Sequence, residues 1–320
     1  MTEYILRRLL VTPMMVLGVT ILVFVMYNLA PGDPVTAMID PLEPTSSQID
    51  REAMRERLGL NKPIHVRYLI WLRELLRGNL GYSQVDGHSV AERIAQTLPA
   101  TLLLQATSLV LAILIGVALG LVSGLKQYSN LDHALSFFAF FGISVPNFFV
   151  AILLMYFLSV KLDWFPLAGM WTPGQSTGFN LDLLHHMVLP VLANVILSLA
   201  GYMRYTRASV LDALGADYVT TARSKGLPER WVIIRHVFRN ALLPVVTLVG
   251  LSLPSLLGGS FILEQLFSWP GMGRLGYTAL LARDYPVIMA VTLTSAVIVM
   301  LANLASDIAY GFVDPRVRYD

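Results

Sequence analysis

The chain reads as an all-α polytopic membrane protein with six transmembrane helices and a water-facing insertion between the first two. Three observations predict this. Hydrophobic residues fill 55% of the 320 positions and charged residues only 14%, and the mean hydropathy of +0.63 exceeds what a water-soluble domain covers with polar surface. The apolar residues gather into long runs of about 20 residues, the length a helix needs to cross a bilayer. The basic residues cluster beside those runs, as membrane orientation requires. A net charge of +2 leaves too little excess for nucleic acid to be the partner, and the absence of cysteine excludes disulfides, thiol catalysis and cysteine-zinc sites.

The first run, Leu9 to Leu29, follows Arg7-Arg8 and continues to Tyr27-Asn28-Leu29 before Pro31-Gly32-Asp33-Pro34. A cleaved signal peptide has a shorter core ending at small residues, so residues 1–29 read as an anchoring helix. Residues 30–98 change composition, with acids and bases nearly balanced, as in a translocated segment. Within them Ile64, Tyr68, Trp71, Leu72, Leu75 and Leu76 share one helical face, opposite Arg67, Arg73, Glu74 and Arg77. Tyr68 and Trp71 suit either the lipid headgroups or packing against neighbouring helices.

The transmembrane core is expected over 99–309. Its first span, 99–125, carries Gly116, Gly120 and Gly124 every four residues, which lets another backbone approach closely. The next, 134–160, is interrupted at Ser144-Val145-Pro146-Asn147. Proline there frees a carbonyl and kinks the helix, so Ser144, Pro146 and Asn147 mark either a packing kink or a bend lining a pathway. A polar outer loop then leads to the span 187–203. Adjacent residues on a helix point about 100 degrees apart and no third ligand is near, so His185-His186 does not read as a metal pair.

Residues 204–240 carry Arg204, Arg207, Arg223, Lys225, Arg230, Arg235 and Arg239 against Asp212, Asp217 and Glu229, which places this loop in the cytoplasm. Tyr218, Val219 and Ala222 recur at helical spacing after Asp217, and Lys225-Gly226 ends that helix with a basic turn and a glycine. Leu227-Pro228-Glu229 opens a second helix at once. Two short helices joined at Gly226 make a protruding elbow suited to docking. The span 241–262 follows, with Pro254 and Gly258-Gly259. Glu264 to Pro286 is too polar and too rich in Gly and Pro to cross lipid, and reads as a re-entrant or outer loop containing Glu264, Phe267, Trp269, Pro270, Gly271 and Gly273. The last span is 287–309, with Asp307 near its inner end, and 310–320 is a tail. Six spans put both termini in the cytoplasm.

Chemistry of its own is missing. The sequence has no GxxxxGK[ST] phosphate loop, no HExxH or GxSxG, and no acid or histidine constellation in mid-membrane. If the protein does work, the energy is expected to come through a partner, and the cytoplasmic elbow is the place for that partner to push. A secondary carrier or channel working alone, or a membrane-embedded enzyme, would need the groups that are lacking.

The elbow resembles the EAA loop of ABC-importer permeases, in particular the peptide/nickel branch with its A-R-x-K-G-L core, here Ala222-Arg223-Ser224-Lys225-Gly226-Leu227. Other motifs of that branch follow in order: Leu29 to Pro34, Leu58 to Pro63, Gly78 to Ser83, Arg239 to Pro244, Phe267 to Gly273, Arg283 to Pro286 and Asp314 to Arg318. Thr220, Thr221 and Ala222 stand where the motif has Glu-Ala-Ala, and Asp217 carries a negative charge one turn earlier.

The resemblance implies the ABC type I importer permease fold and a bacterial inner-membrane location. It implies a half-channel that pairs with a homologous permease subunit as a heterodimer, with two cytoplasmic ATPases that bind the ATP and Mg, and with an extracytoplasmic substrate-binding protein. This chain would bind no cofactor. Asp217, Tyr218, Val219, Ala222, Arg223, Lys225, Gly226 and Leu227 would couple to an ATPase, with Tyr218, Val219 and Ala222 as the apolar contact and Arg223 and Lys225 at its rim. Glu264 to Gly273 would lie at the outer mouth. Di- or oligopeptides are the implied cargo, with nickel complexes, glutathione and oligosaccharides carried by close relatives.

Overall fold

A computed structural model describes residues 2–29, 61–175, 177–252 and 261–313. Helix α1 (Thr2–Leu29) is followed by α2 (Ile64–Leu76), α3 (Val90–Leu125), α4 (Asn130–Ser144) and α5 (Asn147–Leu154), which runs on through a wide π-helical stretch to Lys161. Then come α6 (Leu181–Leu214), α7 (Asp217–Ser224) and α8 (Glu229–Trp231), which widens over Val232–Phe238 and continues as α9 (Arg239–Ser252). Helices α10 (Phe261–Leu266), α11 (Met272–Ala282) and α12 (Tyr285–Val313) complete the described chain. Five of these helical stretches are long and apolar enough to cross a membrane, and the bent pair α4 and α5 counts as a sixth when taken as one span.

Hydropathy marks where lipid is, whereas the helix continues wherever the backbone still pairs and packs. Helix α3 therefore starts at Val90, ahead of the expected 99, because Val90 and Ile94 bury against Met272, Val287 and Val291. Helix α6 likewise runs past Met203 to Leu214, burying Val210 and Ala213. Its first turn is capped by the Asn180 side chain, which accepts from the Leu183 amide at 2.8 Å. Pro254 and the Gly258-Gly259 pair lie outside the described residues, as do most of the motifs between Leu29 and Lys62 and between Asp314 and Arg318.

The anticipated kink in the third apolar run is a full corner. Val145 and Pro146 are both extended, with ψ of 131° and 140°, and α4 and α5 meet at 107°. The physical cause is that proline drives the residue before it out of the helical region. The stretch expected as a re-entrant or outer loop after Ile262 is folded as α10 and α11, of 6 and 11 residues, each too short to span.

The core is the seam between α3 and α6. A Cβ on Gly116 would lie 2.7 Å from the Tyr202 Cβ, one on Gly120 would lie 2.5 Å from the Met203 carbonyl oxygen, and one on Gly124 would lie 2.7 Å from the Val210 Cγ1. The glycine ladder thus does what its spacing predicts, bringing two membrane-length helices to backbone contact. Outside this seam, α1 packs on α12 and α2. Tyr68 and Trp71 close on Phe24 with ring centroids at 5.4 and 5.6 Å, and the Tyr68 hydroxyl lies 2.8 Å from Thr20 Oγ1. Of the two positions open to these aromatics, they take the packed one.

Gly120→Val must push apart backbone atoms that have no room to move, at a cost of about 1–3 kcal/mol or more. Size-exclusion chromatography in mild detergent should show loss of the monodisperse peak for this variant, while Gly18→Ala, whose added Cβ meets nothing within 4 Å among the described residues, should elute as the parent does.

Candidate functional site

The elbow is built as its residues dictate. Helix α7 opens with Asp217 in its first turn, and Gly226 closes it at φ +75°. The Gly226 amide donates to the Arg223 carbonyl at 2.9 Å. That left-handed turn is open to glycine and hard for any branched residue. Pro228 then precedes α8 in the extended conformation, and the chain turns back.

Arg223 closes the elbow on itself. Its Nη2 and Nε donate to the Glu229 carboxylate at 2.7 and 3.2 Å, linking the last turn of α7 to the first of α8. Val219 and Ala222 are 0% and 5% exposed. They pack inward with Val210, Val232 and Val237, which corrects the expectation that they form an outward apolar contact: at i and i+3 they supply the stripe that holds α7 to its own protein. Tyr218 and Leu227 do face outward, joined by Trp231 and Ile234, which the sequence reading passed over. Asp217, Lys225 and Gly226 are also exposed.

A second constellation lies at the other end of α3. Glu264 is fully buried, and its carboxylate accepts from Thr101 Oγ1 at 3.0 Å and from the Gly273 and Arg274 amides at 2.8 and 3.2 Å. Thr101 Oγ1 in turn accepts from the Met272 amide at 2.8 Å, and Trp269 Nε1 donates to the Ala100 carbonyl at 2.8 Å. A Cβ on Gly271 would lie 2.5 Å from Thr101 Oγ1 and collide with Glu264. Phe267 and Trp269 are buried and Pro270 half-buried. These residues, expected in a re-entrant or outer loop, make a packed corner, because the buried carboxylate needs every nearby N–H. Burial pushes the Glu264 carboxyl above its ordinary value, the three donated hydrogen bonds opposing but not cancelling that rise.

Near the far end of α3, the Arg207 guanidinium grips buried Asp132 through two bonds of 2.7 and 2.8 Å, with Ser123 and the Tyr128 amide also donating to that carboxylate. Thr101 and Ser123 stand on one continuous helix. At about 1.5 Å of rise per residue they are about 33 Å apart, one hydrocarbon thickness. The Glu264 corner and the Asp132–Arg207 pair therefore mark opposite sides of the membrane core, and the elbow follows α6 on the Arg207 side.

The remaining candidates separate. Ser144, Pro146 and Asn147 sit exposed at the α4–α5 corner. His185 Nε2 meets the Trp164 carbonyl at 2.8 Å, while buried His186 Nδ1 meets the Asp182 carbonyl at 2.9 Å, so the two rings serve different segments. A pairing invisible in the sequence joins two of its motifs across some 200 positions: Ser83 and the Gln84 amide both donate to buried Asp284.

Membrane-length helices, a self-closed elbow at one end of α6 and a packed corner at the other end of α3 define a polytopic membrane protein. Its sequence matches the profile of the binding-protein-dependent transport system inner membrane component over residues 116–319 and the N-terminal profile of the same systems over 1–105. It is 46% identical to the oligopeptide transport system permease protein AppB of Bacillus subtilis, with 100% of each chain covered. It is 38% identical to the glutathione transport system permease protein GsiC of Salmonella choleraesuis and 36% identical to the dipeptide transport system permease protein DppB of Alkalihalophilus pseudofirmus, again with 100% of each chain covered. Its fold resembles that of the inward-facing MetNI methionine ABC transporter, at a TM-score of 0.56 and 16% identity over 69% of this chain and 96% of that one.

The chain belongs to the family of binding-protein-dependent transport system inner membrane components. It is a permease subunit of an ABC importer, a multi-pass and non-catalytic membrane component that works with ATPase and substrate-binding subunits.

Because the Glu264 carboxyl is raised in the folded state, its contribution to stability is full below the ordinary value of 4.5 and is lost as pH rises through the folded value. Glu264→Gln should remove that slope in melting scans across the acid-to-neutral range. Above the folded value it should be more stable than the parent, since the neutral amide can keep Oε1 on the Gly273 and Arg274 amides and turn its N–H2 to the Thr101 hydroxyl.

Proposed function

We propose that this chain forms half of the translocation pathway of an importer for di- and oligopeptides, paired as a heterodimer with a homologous permease and driven by two ATPases that bind the ATP and Mg. The cargo assignment is supported by the oligopeptide and dipeptide permeases among its relatives. Glutathione, itself a small peptide and the cargo named for another relative, is the second reading. The lack of a phosphate loop in the sequence supports placing the nucleotide in partner subunits.

The observation that carries the coupling is the elbow. Tyr218, Leu227 and Trp231 stand exposed on it while Val219 and Ala222 root it in the core. We assign those three outward residues, with Asp217 and Lys225, to the cleft of an ATPase. Gly226 sets the turn, and Arg223 holds the two helices at a fixed angle through Glu229 rather than meeting the ATPase at the rim. A push on a self-closed elbow passes as a rigid-body motion into α6 and α9 instead of dissipating in the loop.

The excess of basic residues over 204–240 supports a cytoplasmic elbow and cytoplasmic termini, in the inner membrane of a bacterium. The Glu264–Gly273 corner then stands at the outer mouth, where a binding protein delivers cargo. The exposed Ser144–Asn147 corner belongs to the same proposal as a bend beside the pathway.

Two measurements test this. In an importer reconstituted with its ATPases and binding protein, Gly226→Val should keep ATP hydrolysis but lose most ATP-dependent peptide uptake, and unchanged uptake would refute the coupling role. Arg223→Glu sets two acids together across the elbow, and should reduce the ATPase recovered on affinity purification of this chain. Adding Glu229→Arg should restore it, although the exposed pair itself is worth at most about 1 kcal/mol.

A further inference from the structure

One face of α6 carries a line of neutral polar and small residues through the membrane. Asn194, Ser198, Gly201, Tyr205 and Ser209 follow one another at spacings of four, three, four and four, so they share a side of the helix. Asn194 falls in the middle of the apolar stretch 187–203. Its Nδ2 is buried and has no hydrogen-bond partner among the described residues.

A cavity of about 320 Å³ opens on this face, lined by Ser198, Gly201, Tyr202 and Tyr205 of α6, by Leu109 of α3, and by Leu248 and Ser252 of α9. The Tyr202 hydroxyl donates to Ser252 Oγ at 2.7 Å and ties α6 to α9 across its wall. Gly201 differs from the three glycines of the α3 seam: a Cβ added there meets nothing within 4 Å among the described residues. It leaves room where they remove it.

Ser209 and Ser252 bond to carbonyls of their own helices, but the unpartnered Asn194 Nδ2 and the exposed Ser198 and Tyr205 are poorly placed against lipid, which offers them no partner. They suit a wet lane whose contents change. Resting on the peptide-importer reading above, we infer that this face of α6 is the cargo-conducting surface of the subunit and that it handles the cargo's main-chain amides. A hydroxyl such as that of exposed Ser198 or Tyr205 can donate to a carbonyl or accept from an N–H as the chain slides past. From Asn194 to Gly201 the face carries no charged group to trap a charged side chain, the Arg204 guanidinium, 5.7 Å from the Tyr205 ring centroid, and Asp212 standing only further along it, so contacts there stay weak, reversible and indifferent to peptide sequence.

The chain has no cysteine, so single replacements report cleanly. Ser198→Cys and Gly201→Cys would each be built into the complete importer in liposomes. They would be exposed to a membrane-impermeant sulfonated methanethiosulfonate, with Leu22→Cys on α1, which is exposed and apolar, as the lipid-facing reference. Both lane cysteines should react faster than Leu22→Cys, at rates that change when the ATPases are trapped with ATP and vanadate, and modification should abolish peptide uptake while hydrolysis persists. Gly201→Leu, whose Cβ meets nothing within 4 Å among the described residues and whose branches project into the cavity, should lose uptake in the same way.

Reaction no faster than at Leu22→Cys would overturn the lane, and is the result expected if this face instead glues the two permeases together. Rapid reaction in an importer that takes up no peptide even before modification would leave the lane standing and sink the peptide reading and the amide contacts with it.

Discussion

The close approach of α3 to α6 is the constraint on which the other features depend. Helices in lipid gain nothing from burying apolar surface against one another, so their association rests on atomic contact and on hydrogen bonds. Gly116, Gly120 and Gly124 supply the contact by removing side chains where Tyr202, Met203, Thr206 and Val210 must sit. Once α6 is seated, Arg207 lies beside Gly120 and Gly124, within reach of Asp132 at the start of α4. The ion pair then fixes a third helix to the first two. A buried pair of this kind holds geometry more surely than it adds stability, because each partner left alone would be an uncompensated charge.

The same helix α3 organises the opposite face. Thr101 and the Ala100 carbonyl offer the fixed points to which Glu264 and Trp269 bond, so the α10–α11 corner is tied to the spine of the subunit. The Asp284 carboxylate performs a similar task nearby, fastening the end of the insertion to the turn before α12. Rigid attachments at both ends of one membrane-length helix are what a part moved as a unit requires. The elbow, with its own internal ion pair and a stripe of valines beneath it, adds a third rigid piece at the end of α6.

Much of this was legible in the residues. The spans followed from long apolar runs, the close seam from glycines four apart, the left-handed turn from Lys225-Gly226, and the break of the third run from Pro146. Where reading and structure diverge, one kind of information was missing. Tyr218, Val219 and Ala222 share a helical face by spacing, yet spacing does not say whether a short helix lies on a core or projects from it. Once α7 folds back on α6 and the stretch after α8, Val219 and Ala222 turn inward, and Trp231 takes the exposed position. Glu264 looked like a loop residue because an acid amid glycine and proline is usually solvated. Three partners brought from α3 and α11 make its burial tolerable.

Periodicity, composition and the positions of glycine and proline are local properties, and they alone determined that this protein is a bundle of membrane-crossing helices with a turn protruding at Gly226. The pairing of Asp132 with Arg207, of Ser83 with Asp284 and of Glu264 with Thr101 joins side chains that are distant along the chain or held apart by the arrangement of helices. So does the hydrogen bond from Tyr202 to Ser252. Only the tertiary structure decided these, because a hydrogen bond depends on separations of about 3 Å that arise when whole helices are placed against one another.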